Sequence, residues 1–368
     1  MRVLFVSKPV VPPWNDGSKN LVRDLAMHLV RAEPTVMVSP GSSPIGGRVR
    51  EEPVYGERGS FAPTLMANSR VLARLMLGDP LDAWHFVFAP NRASSSAAWL
   101  AKASQRRRGW RGRVVQTIAS VPRSFRGVSS LLFGDVVVAQ SEHTRGRLLG
   151  AGVSAAQLRV ISPCASAPMA CGQVEIDAVK AALGAPKNSP IVLYPGDAEI
   201  GTGARTVAEA AAGLLAKIPE ATVVLACRMK TARAAVAVQE LKHLVGDLGD
   251  RVRFVGDVPN MHALLCASSV IAMPADDLYG KVDVPLVVIE ALALGKPLVL
   301  ARYGPLESVQ TARFIDPGDS AMLAQELVRA LGGGAELKSE TEGGVRLYAE
   351  RFSPAVAARA YDDLYETG

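Results

Sequence analysis

Several features are scarce in this chain of 368 residues, and each scarcity removes a class of protein. Cysteine occurs four times, as Cys164, Cys171, Cys227 and Cys266, with no CxxC pair. His28, His85, His143, His243 and His262 are scattered without the spacing of a metal module. Neither a disulfide scaffold nor a metal site is therefore expected, and reduced thiols in a cytoplasmic protein are the plainer reading. Long apolar runs are also missing. The most apolar stretch, 285–301, is interrupted by Glu290, Gly295 and Lys296, short of the roughly 20 clean residues a spanning helix needs. The opening MRVLFVSKPVV holds five apolar residues between Arg2 and Lys8, too few for a signal-peptide core, so no export is expected. Aromatics make up only 5% of the chain, and no nucleic-acid module or interleaved aromatic pattern is visible, so nucleic acid is not an expected partner. A GxGxxG fingerprint, a Walker loop and the spacings of Ser-His-Asp or Cys-His catalysis are absent as well.

What is present is an ordinary globular composition, 49% hydrophobic and 21% charged, long enough for two domains that each bury a core. Charge divides the chain. Residues 1–165 carry 22 Lys and Arg against 10 Asp and Glu, while the remainder carries 19 against 25. A basic first half suits an anionic partner. Its densest cluster, Arg106, Arg107, Arg108 and Trp110, has the composition of a peripheral membrane patch, with the ring entering the headgroup layer and the cations attracting anionic lipid. The competing reading is a helix C-terminus, where cations favour the macrodipole and Gly109 ends the helix.

Short β-branched runs alternate with Ala/Leu-rich helical stretches, the pattern of parallel sheets covered by helices. Strands are expected at 3–6, 35–38, 84–88, 114–118, 136–139 and 159–161, then at 191–194, 222–226, 252–255, 270–273 and 297–300. The fold class is α/β, with two Rossmann-like doubly wound domains facing each other across a cleft. The aperiodic Pro/Ala/Ser/Gly stretch 162–172 divides an acceptor-side domain, 1–165, from a nucleotide-sugar-binding domain, 166–347. A C-terminal helix, 348–368, completes the first. Gly332 to Gly334 and the Gly343-Gly344 pair are expected to break helices. Ligands of doubly wound sheets bind beyond the carboxyl ends of the strands. In the first half this places the loop from Ser7 to Asp16 and Gly17, followed by a helix, where backbone N–H groups can meet an anion. On its own, Gly17 reads as a turn glycine with positive φ.

The block from Asp283 through Glu290 to Lys296-Pro297 resembles the donor-binding signature of family 4 glycosyltransferases, which have the GT-B fold. The opening strand with its Pro-rich loop, the segment Val137 to Arg145 leading to Pro163, and Val252 to Pro259 agree with that family in order and spacing. The resemblance implies retaining, metal-independent transfer of a sugar from a nucleotide-sugar donor to a glycan, lipid-linked or small-metabolite acceptor, with no further cofactor. It implies that Glu290 binds the ribose hydroxyls and that the helix opening at Leu286 faces the diphosphate. Gly17, Asp16, Gly196 and Val258 would lie along the donor. Asp283 is the nearest carboxylate to the family's second Glu, whose place Val282 takes. Asp197 and Thr202 stand where the family carries Arg and Lys, so Arg228 and Lys281 are the substitute phosphate cations. Ala119 stands where a His is common, which leaves Ser120, Gln116 or His85 for the acceptor; His85, between aromatics, reads more simply as a core residue. These departures keep open an alternative, a catalytically degenerate GT-B protein that binds a glycan or a partner enzyme. A nucleotide-sugar epimerase of similar fold lacks visible acid/base residues here.

Overall fold

The computed structural model describes residues 1–366 apart from Pro13, Asn15, residues 57–63, Lys230, Asp257 and Pro259. Asn15, Asp257 and Pro259, which the sequence motifs include, and the last two residues of the expected C-terminal helix thus lie outside the described residues. The chain divides into two compact units. The first comprises Met1–Ser166, Tyr279–Leu286 and Arg351–Gly368, and the second Ala167–Leu278 and Val287–Glu350.

The first unit is built on seven strands: β1 (Arg2–Val6), β2 (Glu33–Val38), β3 (Arg50–Pro53), β4 (Ala83–Val87), β5 (Arg113–Thr117), β6 (Val136–Ala139) and β7 (Leu158–Val160). They pair in the order β3-β2-β1-β4-β5-β6-β7, every pair parallel. Val3, Leu4 and Phe5 at the centre are fully buried, as expected of a sheet covered on both faces. The edge strand β3 reads Arg-Glu-Glu-Pro. Its charge and proline blunt a free edge, and they also hide it from a search for β-branched runs.

The C-terminal helix Pro354–Glu366 is held on this sheet by polar groups. The Asp362 carboxylate accepts hydrogen bonds from the backbone N–H of Val30, Arg31 and Ala32 at 3.0, 3.1 and 2.9 Å. Tyr361 and Tyr365 reach inward to the buried pair His85 and Thr117. Tyr365 Oη lies 2.7 Å from His85 Nδ1, His85 Nε2 lies 2.7 Å from Thr117 Oγ1, and Thr117 Oγ1 lies 2.8 Å from Tyr361 Oη. His85 is fully buried and satisfied on both nitrogens, a core histidine.

The second unit carries β8 (Ile191–Tyr194), β9 (Thr222–Ala226), β10 (Val252–Val255), β11 (Val270–Met273), β12 (Leu298–Ala301) and β13 (Arg313–Ile315). They run parallel in the order β10-β9-β8-β11-β12-β13. This is the doubly wound order whose reversal, between β8 and β11, opens a crevice at the carboxyl ends. Gly343 and Gly344 do not break a helix as the sequence led us to expect. Both lie inside the helix Ala335–Leu347, where a Cβ at 343 would come within 3.2 Å of Thr311 and one at 344 within 3.1 Å of Leu292. Close helix packing, not a turn, accounts for the pair.

Candidate functional site

Two loops meet at the switch point of the second unit. The loop after β8 runs Pro195 to Thr202 and leads into the helix Gly203–Lys217; the loop after β11 carries Asp276 and Asp277. They are joined by Asp276, whose Oδ1 accepts from the Thr202 backbone N–H at 2.7 Å and whose Oδ2 accepts from the Thr202 hydroxyl at 2.9 Å. This joint needs glycine at 201, which has φ +66°; a Cβ there would fall 2.2 Å from Asp276 Oδ1. Gly196 is required for a different reason. The buried Tyr194 ring folds back beneath the loop, its hydroxyl donating to the Asp197 carbonyl at 2.9 Å, and a Cβ on Gly196 would lie 2.3 Å from that hydroxyl.

Carboxylates dominate this edge. Asp197 is buried, Glu199 accepts from the Thr231 hydroxyl at 3.2 Å, and Asp276 occupies the amide that opens the helix. Arg228 follows β9 directly, partly buried. Glu290 lies partly buried on the helix Leu286–Ala293, between β11 and β12 in sequence, with Ala291 and Leu292 fully buried beside it. Val258 is half-buried in the loop after β10.

The remaining candidates belong to the first unit. Asp16 caps the helix Gly17–His28, accepting from the backbone N–H of Ser18 at 3.0 Å and Lys19 at 3.3 Å, and pairs with Lys8 Nζ at 3.0 Å. Burial pushes its carboxyl up, but Lys8 and the two amides outweigh that and hold it below the usual range. The helix N-terminus proposed as an anion cradle is thus already served by an internal anion. Gly17 also departs from expectation, since its φ lies outside the left-handed region, and Leu286 approaches to 3.8 Å of where its Cβ would stand.

Asp283 is 1% exposed, and its Oδ2 accepts a hydrogen bond from the Ser141 hydroxyl. Ser141 in turn caps the helix Glu142–Gly150, accepting from the Thr144 backbone N–H at 3.0 Å. The segment around Asp283 also pairs with Val121, whose N–H donates to the Lys281 carbonyl at 2.9 Å and whose carbonyl accepts from Gly280 at 3.2 Å. So the stretch Tyr279–Leu286 is stitched to the carboxyl ends of β5 and β6, and Asp283 anchors it. Offered by the sequence for the donor sugar or its loop, Asp283 is enclosed within that loop. Lys281 is partly buried, which pushes its ammonium down to about 8. Ser120 is half-buried next to the fully buried Ala119. Gln116 is fully buried, its Oε1 accepting from the Phe133 N–H at 2.9 Å, so it is not available to an acceptor.

The Arg106 to Trp110 cluster is also largely spoken for. The Trp110 ring stacks on the buried Trp84 ring with centroids 4.5 Å apart, and its Nε1–H donates to the Leu81 carbonyl at 2.8 Å. Arg106 pairs with Asp135 at 3.0 Å and lies over the Trp110 ring. Arg108 donates to the Met76 carbonyl at 2.7 Å but stays exposed with Arg107. Trp110 is thus engaged within the first unit, while Trp99 and Leu100, on the helix Arg92–Arg107, are about half exposed. Among the described residues no helix is long and apolar enough to cross a membrane.

The comparisons with known proteins agree with this architecture. Residues 189–332 match the family described as glycosyl transferases group 1. No curated protein matches the sequence. Among solved structures, Anabaena HepE in complex with UDP and glucose superposes with a TM-score of 0.76 at 18% identity over 100% of both chains. A glycosyltransferase from Rickettsia africae gives 0.72 at 18% identity, covering 99% of this chain and 97% of its own. Sucrose-phosphate synthase of Thermosynechococcus elongatus gives 0.74 at 20%, covering 99% and 98%. The chain thus has the fold of the GT-B glycosyltransferases, and through residues 189–332 it matches the group 1 glycosyl transferase family.

Proposed function

We propose that this protein is a retaining, metal-independent glycosyltransferase that draws a sugar from a nucleotide-sugar donor and passes it to a glycan, lipid-linked or small-metabolite acceptor. The observation that carries the reading is Glu290, a carboxylate inside an otherwise apolar helix of the unit that matches the group 1 family. A carboxylate accepts hydrogen bonds, and ribose hydroxyls are the donors that suit it. HepE, in complex with UDP and glucose, makes uridine diphosphate the first nucleotide to try. Arg228 and Lys281 are the cations assigned to phosphate, and Gly196, Val258 and Leu286 remain candidates along the donor. A retaining transfer needs no protein base where the departing phosphate takes the acceptor proton, which is compatible with Ala119 and with the buried His85. Ser120 is left as the acceptor-side polar group. A cytoplasmic location accords with four free cysteines, and any peripheral membrane contact falls to Trp99, Leu100, Arg107 and Arg108.

Calorimetric titration with UDP, GDP, ADP and dTDP, without metal and then with magnesium, tests this reading. Saturable binding of one diphosphate without metal, abolished in a folded Glu290→Ala variant, is the expected result. Failure of all four to bind the folded protein would instead favour the degenerate reading.

A further inference from the structure

The cysteines and histidines that look scattered in sequence are not scattered in space. Cys171, in the segment that opens the second unit, comes together with His262 and Cys266 from the helix Met261–Ala267, and their ligand atoms all lie within 4.8 Å of one another. His262 and Cys266 are four residues apart, which puts both side chains on one helix face. We propose that these three side chains bind a thiophilic divalent metal ion of the zinc class.

The distances support this directly. Bond lengths of about 2.3 Å to sulfur and about 2.0 Å to nitrogen in a tetrahedral site place sulfur about 3.5 Å from nitrogen and about 3.8 Å from a second sulfur. Cys171 Sγ stands 3.8 Å from His262 Nε2, near that edge before any metal draws them in. The Met169 carbonyl faces the same point, 3.9 Å from Cys266 Sγ and hydrogen-bonded to His262 Nε2. Metal binding requires Nε2 to give up the proton it donates to that carbonyl, and a water completes the set. The Lys296 ammonium stands alongside, fixed by the carbonyls of Cys266 and Ser268 at 2.7 and 2.8 Å. Cys266 and Lys296 also line a surface recess of about 540 Å³.

The position separates this site from donor chemistry. Cys266 lies just before β11, at the amino end of the second sheet, whereas the loops of the switch point leave its carboxyl ends. The metal would therefore pin residues 169–171 to the helix Met261–Ala267 without taking part in transfer, and metal-independent transfer and metal binding are compatible.

Cobalt titration of the reduced full-length protein under anaerobic conditions tests the proposal, because thiolate-to-cobalt absorption reports sulfur ligation whatever the activity. One cobalt per chain is expected, with intense charge-transfer absorption and tetrahedral ligand-field bands, both erased by stoichiometric zinc. Cys171→Ser and Cys266→Ser should each lose stoichiometric uptake, His262→Gln should weaken it at least tenfold, and Cys227→Ala should retain it. Should a variant unfold, alkylation of the unaltered protein decides, with zinc protecting Cys171 and Cys266 but leaving the order of labelling of Cys164 and Cys227 unchanged. Absence of charge-transfer absorption, bands that survive loss of both thiols, or a Cys171–Cys266 disulfide that takes up no metal after reduction would overturn the proposal.

Discussion

Ser141 donates its hydroxyl hydrogen to the Asp283 carboxylate across 142 residues of sequence, and with the same oxygen caps the helix Glu142–Gly150. This pair gives Asp283 a structural task. Burial pushes the carboxyl up, against the pull of the Ser141 hydrogen bond. With its folded value above the unfolded one, Asp283 supports folding most in acid, and that support is lost as pH rises through the folded value. Asp283→Asn, which keeps an acceptor without charge, should therefore fold as well as the parent at pH 7, while Asp283→Ala should cost about 1–3 kcal/mol by stranding the Ser141 hydroxyl. Urea denaturation of both variants checks this. Asn that is well folded but inactive would return Asp283 to the reacting groups.

His85 makes the opposite pH prediction. Burial pushes its imidazole down from 6.5 to about 3, so the folded protein holds it neutral between Thr117 and Tyr365. Below pH 6.5 the unfolded chain takes up a proton that the folded chain refuses. Its contribution to stability is complete above 6.5 and drains away towards pH 3 at up to about 1.4 kcal/mol per pH unit. Denaturation midpoints at pH 7, 6 and 5 should fall steadily, and His85→Gln should flatten that fall. Equal slopes in the two proteins would show that other groups carry it.

The fold was legible because central parallel strands announce themselves: β8 and β11 are continuous apolar runs between turn residues. Strands β3 and β13 escaped, the first for its charge and proline and the second because Arg313-Phe-Ile315 is three residues long. The candidate site was legible only as a motif. Which carboxylates are satisfied internally depends on partners remote in sequence, such as Thr202 for Asp276 and Ser141 for Asp283. The Cys171, His262, Cys266 cluster hid for the same reason, its first two members standing 91 positions apart.

The glycines at the two switch points should behave differently on substitution. A methyl at Gly196 collides with Tyr194, which is fully packed and cannot swing aside, so Gly196→Ala should cost about 1–3 kcal/mol. Gly17 opens a helix with its nearest neighbour 3.8 Å from the added carbon. Gly17→Ala should be neutral or stabilise by about 0.5–1 kcal/mol through reduced chain entropy. Thermal midpoints of the two variants decide the matter, and equal losses would remove the distinction.

Trp110 should act on stability, not on lipid. Trp110→Phe keeps a ring on Trp84 but loses the hydrogen bond to the Leu81 carbonyl, at a cost of about 1 kcal/mol, whereas Trp110→Ala should cost about 2–4 kcal/mol. Neither change should alter sedimentation with anionic vesicles at low salt. A selective loss of vesicle binding in Trp110→Phe would restore the ring to the membrane.

The joint between Thr202 and Asp276 is where the proposed donor reading meets a fixed negative charge. A diphosphate bound at the opening of the helix Gly203–Lys217 meets Asp276 already on the Thr202 amide, so anion stands against anion at the point where the helix dipole favours negative charge. Asp276→Asn removes the charge while its amide oxygen still accepts from the Thr202 N–H, which preserves the loop. Diphosphate affinity should rise about fivefold, equivalent to ~1 kcal/mol, and the gain should shrink as salt screens the parent's repulsion. Titration with UDP at two ionic strengths measures both effects. Weaker binding in the variant would mean that Asp276 serves the donor by shaping the loop, and that the diphosphate lies away from this helix.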